Sequence, residues 1–165
     1  MLGHCFAIGT VLYRDDSVTS IFGTGMIMYI KGKFVSGQEL DEVKEVRESC
    51  GLKVVDADDN MAVHVVAYCV DEETKPVAAG RLRFDGDEYS IDAVCRRPEE
   101  TDDYTDFVLK MLIYQAVQHG ADQITANCPL EQTGLYKRNR FVLVEEVAGQ
   151  CRMLMENASV HHCCN

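Results

Sequence analysis

The stretch GKFVSGQELDEVKEVRESCGLKVVDADDNMAVHVVAY, residues 32–68, changes its periodicity twice. Ser36 and Glu39 stand three apart, the spacing of a capping box, in which each side chain satisfies a backbone N–H at the start of a helix. Leu40, Val43, Val46 and Cys50 then repeat at helical spacing and mark one apolar face. Gly51 supplies the stop, because glycine takes the left-handed C-cap conformation without a Cβ penalty. Past the acidic turn DADDN (56–60), AVHVVAYCV (62–70) is a run of β-formers and predicts a strand.

Working outward, residues 4–34 are rich in β-branched and aromatic residues, with turn signals at RDDS (14–17) and GTG (23–25). They predict a hairpin-like extension over residues 5–22 and a strand around Met26–Lys31. Downstream, DEETKP turns the chain into VAAGRLRF and DGDE turns it into YSIDAVCR, an antiparallel meander with short turns. An acidic loop follows, then a helix whose buried face is Phe107, Val108, Met111, Leu112 and Val117 and which stops at Gly120. DQITANC is a strand, LEQTGLYKRN a short helix, and FVLVEEVAGQCRMLME two strands about a turn near Gly149. The order predicts an α/β (α+β) fold, a mixed central sheet flanked by helices, with an extra N-terminal β-hairpin. One domain is expected over residues 1–165: an extension (1–25), a core (26–156) and a tail (157–165) that frays.

Composition narrows the function classes. With 165 residues, 47% hydrophobic and 26% charged, the chain suits a single soluble core. The net charge of −11 argues against nonspecific nucleic-acid binding, which depends on Lys and Arg neutralising phosphates. It suits a basic acceptor such as an amine, and equally it keeps a protein soluble. No apolar run approaches the roughly 18 residues that span a bilayer, and the first residues lack a basic n-region. Neither a membrane segment nor a signal peptide is therefore expected.

The eight cysteines are scattered without a CxxC pair, and Cys50, Cys69, Cys95 and Cys128 lie in or beside apolar segments. Free thiols in a cytoplasmic protein are the expectation. No metal site is expected: His161, His162, Cys163 and Cys164 are too close in sequence to close one tetrahedral site easily. The DADDN cluster and the acidic loop lack the ligand spacing of a dedicated calcium loop.

Residues 32–68, followed by KPVAAGRLRF (75–84), resemble the amino half of the GNAT superfamily of acyl-CoA N-acyltransferases. Val46–Arg47, Asp56, Asp59, Ala62, His64, Ala67, Tyr68, Pro76, Val77, Gly80, Arg81 and Leu82 fall on that family's pattern. In the second half GLYKRNRF places Tyr136 and Phe141 on its aromatic motif, and the resemblance runs from about Lys31 to Glu156. It implies a strand that splays from its neighbour, with backbone near Val94, Cys95 and Arg96 binding the pantetheine arm and acyl carbonyl of acetyl-CoA. It implies a pyrophosphate loop at a helix N-terminus, here at Thr101, Asp102 and Asp103. It further implies Tyr136 as the acid that reprotonates the CoA thiolate, and a small-molecule or peptide amine as acceptor.

At that loop the chain departs from the pattern. Where the family has a basic residue and glycines, it carries Glu100, Thr101, Asp102, Asp103 and Thr105, and Arg140 replaces the glycine before Phe141. Carboxylates in a first helical turn complement the macrodipole, so side chains can cap the helix where phosphate would otherwise bind. An acyltransferase with impaired use of acetyl-CoA and a non-catalytic binding or scaffold protein that needs no cofactor both remain open.

Other residues carry weaker candidacies. Asp92 can face the acceptor cleft as a general base, or be a solvated strand carboxylate. Cys95 is a nucleophile or a buried thiol, and His64 a base or a satisfied core histidine. The apolar extension needs a cover, an edge strand or a partner subunit, so a homodimer is an expectation.

Overall fold

The computed structural model describes residues 10–14, 17–22, 28–36, 40–53, 56–69 and 75–163. The amino extension pairs as a hairpin, β1 (Thr10–Arg14) with β2 (Ser17–Phe22), while residues 5–9 and 15–16 of the predicted extension and the predicted turn at 23–25 lie outside the described residues. β2 is followed by β3 (Met28–Ser36), α1 (Asp41–Ser49), a 3-10 turn (Ala57–Met61) and β4 (Val63–Cys69). The meander continues with β5 (Pro76–Asp85) and β6 (Glu88–Arg96), and then α2 (Asp102–Gln118) crosses to β7 (Ile124–Pro129). A 3-10 turn (Leu130–Gln132) leads into α3 (Thr133–Arg138), and β8 (Val142–Val147), β9 (Gln150–Met155) and α4 (Ala158–Cys163) complete the order.

All the strands form one mixed sheet in the order β1-β2-β3-β4-β5-β6-β7-β9-β8. Every pairing is antiparallel except β6 with β7, which the α2 crossover makes parallel. Strand alternation sorts the core into two layers. Val65, Ala67, Ala78, Leu82 and Ile91 meet Phe107, Val108 and Leu112 of α2, while Val66 and Tyr68 pack with Leu40 and Val43 beside α1 on the other face. No described helix is long and apolar enough to cross a membrane.

Two glycines set how closely α2 approaches. A Cβ on Gly32 would lie 2.5 Å from Phe107 Cε1, and one on Gly80 would lie 2.7 Å from Val108 Cγ1 and 2.8 Å from Leu112 Cδ1. The GRL element of the sequence is thus a packing device: its glycine lets a helix lie on the strand, and its arginine points to the opposite face.

One expectation is corrected. Ser36 is not a helix cap; it ends β3, paired with Val63, because the β3–β4 ladder claims its backbone. α1 instead begins after Leu40 with no side-chain cap. The capping box falls at Asp56, where Asp58 N–H donates to the Asp56 carboxylate and Asp56 N–H donates to Asp59 Oδ2 at 2.7 Å. Of the tail, Ala158–Cys163 form α4, with Ala158 buried and its N–H donating to the Asp122 carbonyl; residues 164–165 lie outside the described residues.

Candidate active site

The site starts with a fault in the β5–β6 ladder. Ala79 pairs with Cys95 and Arg81 with Asp92, so Gly80 alone faces both Ala93 and Val94. Ala93 takes up the extra residue at φ 51°, the left-handed region in which alanine is costly. A bulge of this kind bends its strand. The parallel β6–β7 ladder accordingly ends after Ser90↔Thr125 and Ile91↔Ala126, and beyond it Asp92–Arg96 and Asn127–Pro129 diverge without pairing.

Gln132 and Tyr136 enter this splay from the β7–α3 segment. Gln132 Nε2 donates to the Val94 carbonyl at 3.3 Å. Tyr136 is fully buried, with its ring edge-on to Phe141 at a centroid distance of 5.4 Å. Its hydroxyl has no hydrogen-bond partner among the described residues. Burial first, and then the nearby Cys128, Asp92 and Cys95, push the phenol well above its ordinary range, so it keeps its proton. Those neighbours belong to β7 and β6, the two strands of the splay.

At the mouth of the splay the cations are spent on nearby acids, of the loop and of α1. Arg96 donates to Asp102 through Nε at 3.0 Å and Nη2 at 2.9 Å. Arg97 pairs with Glu45 and donates Nε–H to the Pro76 carbonyl, and Lys75 reaches Glu99 at 3.5 Å. Thr101 holds the N-cap of α2 without a side-chain cap bond, and its hydroxyl donates to Asp103 at 3.4 Å. Thr101, Asp102 and Asp103 are all exposed.

Behind the splay, on the α1 face, the resemblance motif closes into one buried ion network. Arg47 of α1 donates to Asp59 through both Nη atoms, and Arg81 of β5 donates to Asp56, Asp59 and Asp92 at 2.7–2.9 Å. Asp92 also meets Arg83 at 3.2 Å, so its carboxylate is held by two guanidinium groups. Burial pushes the Asp59 carboxyl up, but Arg47 and then Arg81 outweigh it and hold it well below the usual range. His64 is buried, with Nε2 3.0 Å from the Asp59 carbonyl. Burial, aided by Arg47 and Arg81, lowers its pKa and keeps it neutral.

Cys95 is buried with Val46 and Ala79, and the half-buried Cys50 packs against them. Cys50 donates its thiol to the Arg96 carbonyl at 2.9 Å. The contact with Cys50 and then burial raise the Cys95 thiol. Asp56 and Asp59 of the DADDN cluster are turned onto arginines, and no metal-holding group of three His, Cys, Asp or Glu side chains occurs among the described residues.

Beside the network on the same face lies an open trough of about 560 Å³, bounded by Asp58, Arg83, Glu88, Ser90, Asn127 and Arg152. The structure thus brings Asp92, Val94, Cys95 and Tyr136 together around the splay and sets Arg96, Thr101, Asp102 and Asp103 at its mouth. Gln132 escaped the sequence reading, since a glutamine in a short turn carries no pattern.

Three solved structures share this arrangement of strands and helices. An acyl-CoA N-acyltransferase from Pseudomonas aeruginosa matches at 16% identity and a TM-score of 0.62, over 76% of this chain and 99% of that one. The GNAT domain of S. lividans PAT matches at 11% identity and a TM-score of 0.61, over 78% of this chain and 90% of that one. The chain has the GNAT fold. The PaiA N-acetyltransferase from Thermoplasma acidophilum, solved in complex with coenzyme A, matches at 12% identity and a TM-score of 0.52, over 71% of this chain and 68% of that one. No family model and no curated protein sequence matches the chain.

Set against acetyl-CoA, this GNAT frame fits at one end only. The splay, its bulge and the unpartnered Tyr136 hydroxyl suit a thioester arm. The pyrophosphate end does not fit: carboxylates stand at the helix N-terminus, and Arg96 and Arg97 are already paired.

Proposed function

We propose that the protein is a divergent GNAT-type N-acyltransferase that passes an acyl group from a thioester in the β6–β7 splay directly to an amine, and that its use of acetyl-CoA is impaired. The observation that carries this is the Tyr136 hydroxyl, buried and without a partner among the described residues, with neighbours on the two strands of the splay. An unpaired buried hydroxyl costs about 1–3 kcal/mol, a cost relieved by a ligand atom that accepts its proton. Burial keeps Tyr136 in the O–H form that a general acid requires. Acetyl-CoA, when bound, supplies an activated acyl thioester.

The chain's own part is to align that group along the backbone of Val94, Cys95 and Arg96 and to donate the Tyr136 proton to the departing sulfur. The amine approaches over the α1 face through the trough, whose lining mixes Asp58, Asp85 and Glu88 with Arg83 and Arg152. Asp92 is committed to Arg81 and Arg83, so it shapes the trough as a positioning residue rather than taking the amine's proton.

Mass spectrometry of small and peptide amines incubated with millimolar acetyl-CoA tests this. The expected result is slow N-acetylation that falls on the order of a hundredfold in Tyr136→Phe, the usual scale of general-acid catalysis. The variant loses an unpaired hydroxyl, so its melting temperature should hold or rise, which separates lost chemistry from lost folding. Equal rates in the two proteins, or no acetylated amine at all, would overturn the proposal.

A second reading, a non-catalytic binding or scaffold protein on the same frame, is favoured by the Gln132 bond to Val94, which occupies a strand carbonyl facing the splay. It predicts that no thioester shifts the melting temperature.

A further inference from the structure

The two ends of the site disagree, and the disagreement points to the donor. Resting on the acyltransferase reading of the splay, we propose that the acyl donor is a thioester on a short, uncharged pantetheine-like arm that carries no diphosphate. Two independent observations support this. Within the splay, Tyr136 is fully buried and presents a hydroxyl with no partner among the described residues, while the Val94 carbonyl accepts a long 3.3 Å bond from the Gln132 amide. Both are neutral groups suited to sulfur and amide atoms. At the mouth, Glu99, Glu100, Asp102 and Asp103 crowd the start of α2, and the neighbouring cations, Lys75, Arg96 and Arg97, are paired with Glu99, Asp102 and Glu45. A diphosphate there would meet carboxylates where a helix N-terminus would otherwise offer N–H groups. An arm that ends before the mouth avoids the repulsion and keeps every contact inside the splay.

The transfer balances without a further reactant. The amine nitrogen attacks the thioester carbonyl, the C–N bond forms and the C–S bond breaks. The thiolate takes the Tyr136 proton, and the proton lost by the amine restores the tyrosine through solvent. The products are an amide and a free thiol.

The decisive comparison needs only the wild-type chain and a binding readout. S-acetylpantetheine and acetyl-CoA are titrated in parallel while the backbone amide resonances of Val94, Cys95 and Gln132 are followed by NMR, at about 50 mM and about 500 mM salt. The inference expects S-acetylpantetheine to bind at least as tightly as acetyl-CoA. It also expects high salt to tighten acetyl-CoA several-fold by screening the acids, leaving S-acetylpantetheine unmoved. Neutralising the mouth with Glu100→Gln and Asp103→Asn should raise acetyl-CoA affinity about tenfold, again without effect on the short thioester. Acetyl-CoA binding tenfold tighter than S-acetylpantetheine would overturn the inference and leave the acyltransferase reading standing. No perturbation by either compound would overturn both.

Discussion

Arg47 and Asp59 meet side by side, Nη1 to Oδ2 at 2.9 Å and Nη2 to Oδ1 at 3.0 Å, with both side chains withdrawn from water. Through this pair α1 is tied to the 3-10 turn, and through Arg81 the turn is tied to β5 and β6. The network therefore sits directly behind the strand that bulges at Ala93. Cutting a buried pair on one side strands a charge, at a cost of about 3–5 kcal/mol. Asp59→Asn should destabilise the fold by about that amount in urea unfolding. The double change Arg47→Met, Asp59→Leu should cost clearly less than the two single changes summed, since it leaves no orphaned charge. Additive losses would show that the pair does not couple.

Acid should unfold the protein in two stages. The folded-state pKa of His64 is depressed, so protons bind the unfolded chain first, and the neutral His64 contributes stability that is complete above its ordinary value near 6.5 and shrinks as pH falls below it. Asp59 is depressed as well, so its contribution is complete above about pH 4 and is lost progressively below that. Melting temperature followed from pH 8 down to about pH 3 should begin to decline below about pH 6.5, and His64→Gln should flatten that first stage alone. A flat profile down to about pH 5 in the wild type would contradict the assignment.

Gly80→Ala should be among the most damaging small substitutions in the sheet. The added methyl meets Val108 and Leu112 from α2 and Val94 Cγ2 at 3.1 Å from the bulge. Overpacking of this kind costs about 1–3 kcal/mol. Because Val94 also lines the splay, its amide should shift in NMR spectra of the variant, while residues of the β8–β9 hairpin stay in place. A variant as stable as wild type, with unchanged shifts, would mean that α2 yields freely.

Much of this is legible in the sequence, for reasons that differ residue by residue. Val43 and Val46 announce a helix because helical spacing repeats them on one face, and Gly51 announces its end by needing φ 68°. Arg47, Asp56, Asp59, His64 and Arg81 were visible as members of a pattern. Their convergence on one buried network was not visible, since it depends on four separate elements meeting. Ser36 misled because local capping chemistry lost to a ladder made with distant residues. The bulge left no mark, because alanine at position 93 does not advertise a left-handed backbone. Arg140 shows the reverse: its side chain departs from the glycine of the resemblance, yet its φ of 69° keeps the glycine-like backbone.

The brevity of the β6–β7 ladder has a mechanical consequence. Six strands on one side and three on the other are joined, among the described residues, by two ladder rungs, Ser90↔Thr125 and Ile91↔Ala126, with the Thr125 hydroxyl bonded to the Tyr89 carbonyl beside them. The sheet is thus two plates sharing a short weld, and strain applied across it concentrates at that weld. Small rotations of the three-stranded plate would widen or narrow the gap above Tyr136 without breaking a ladder elsewhere.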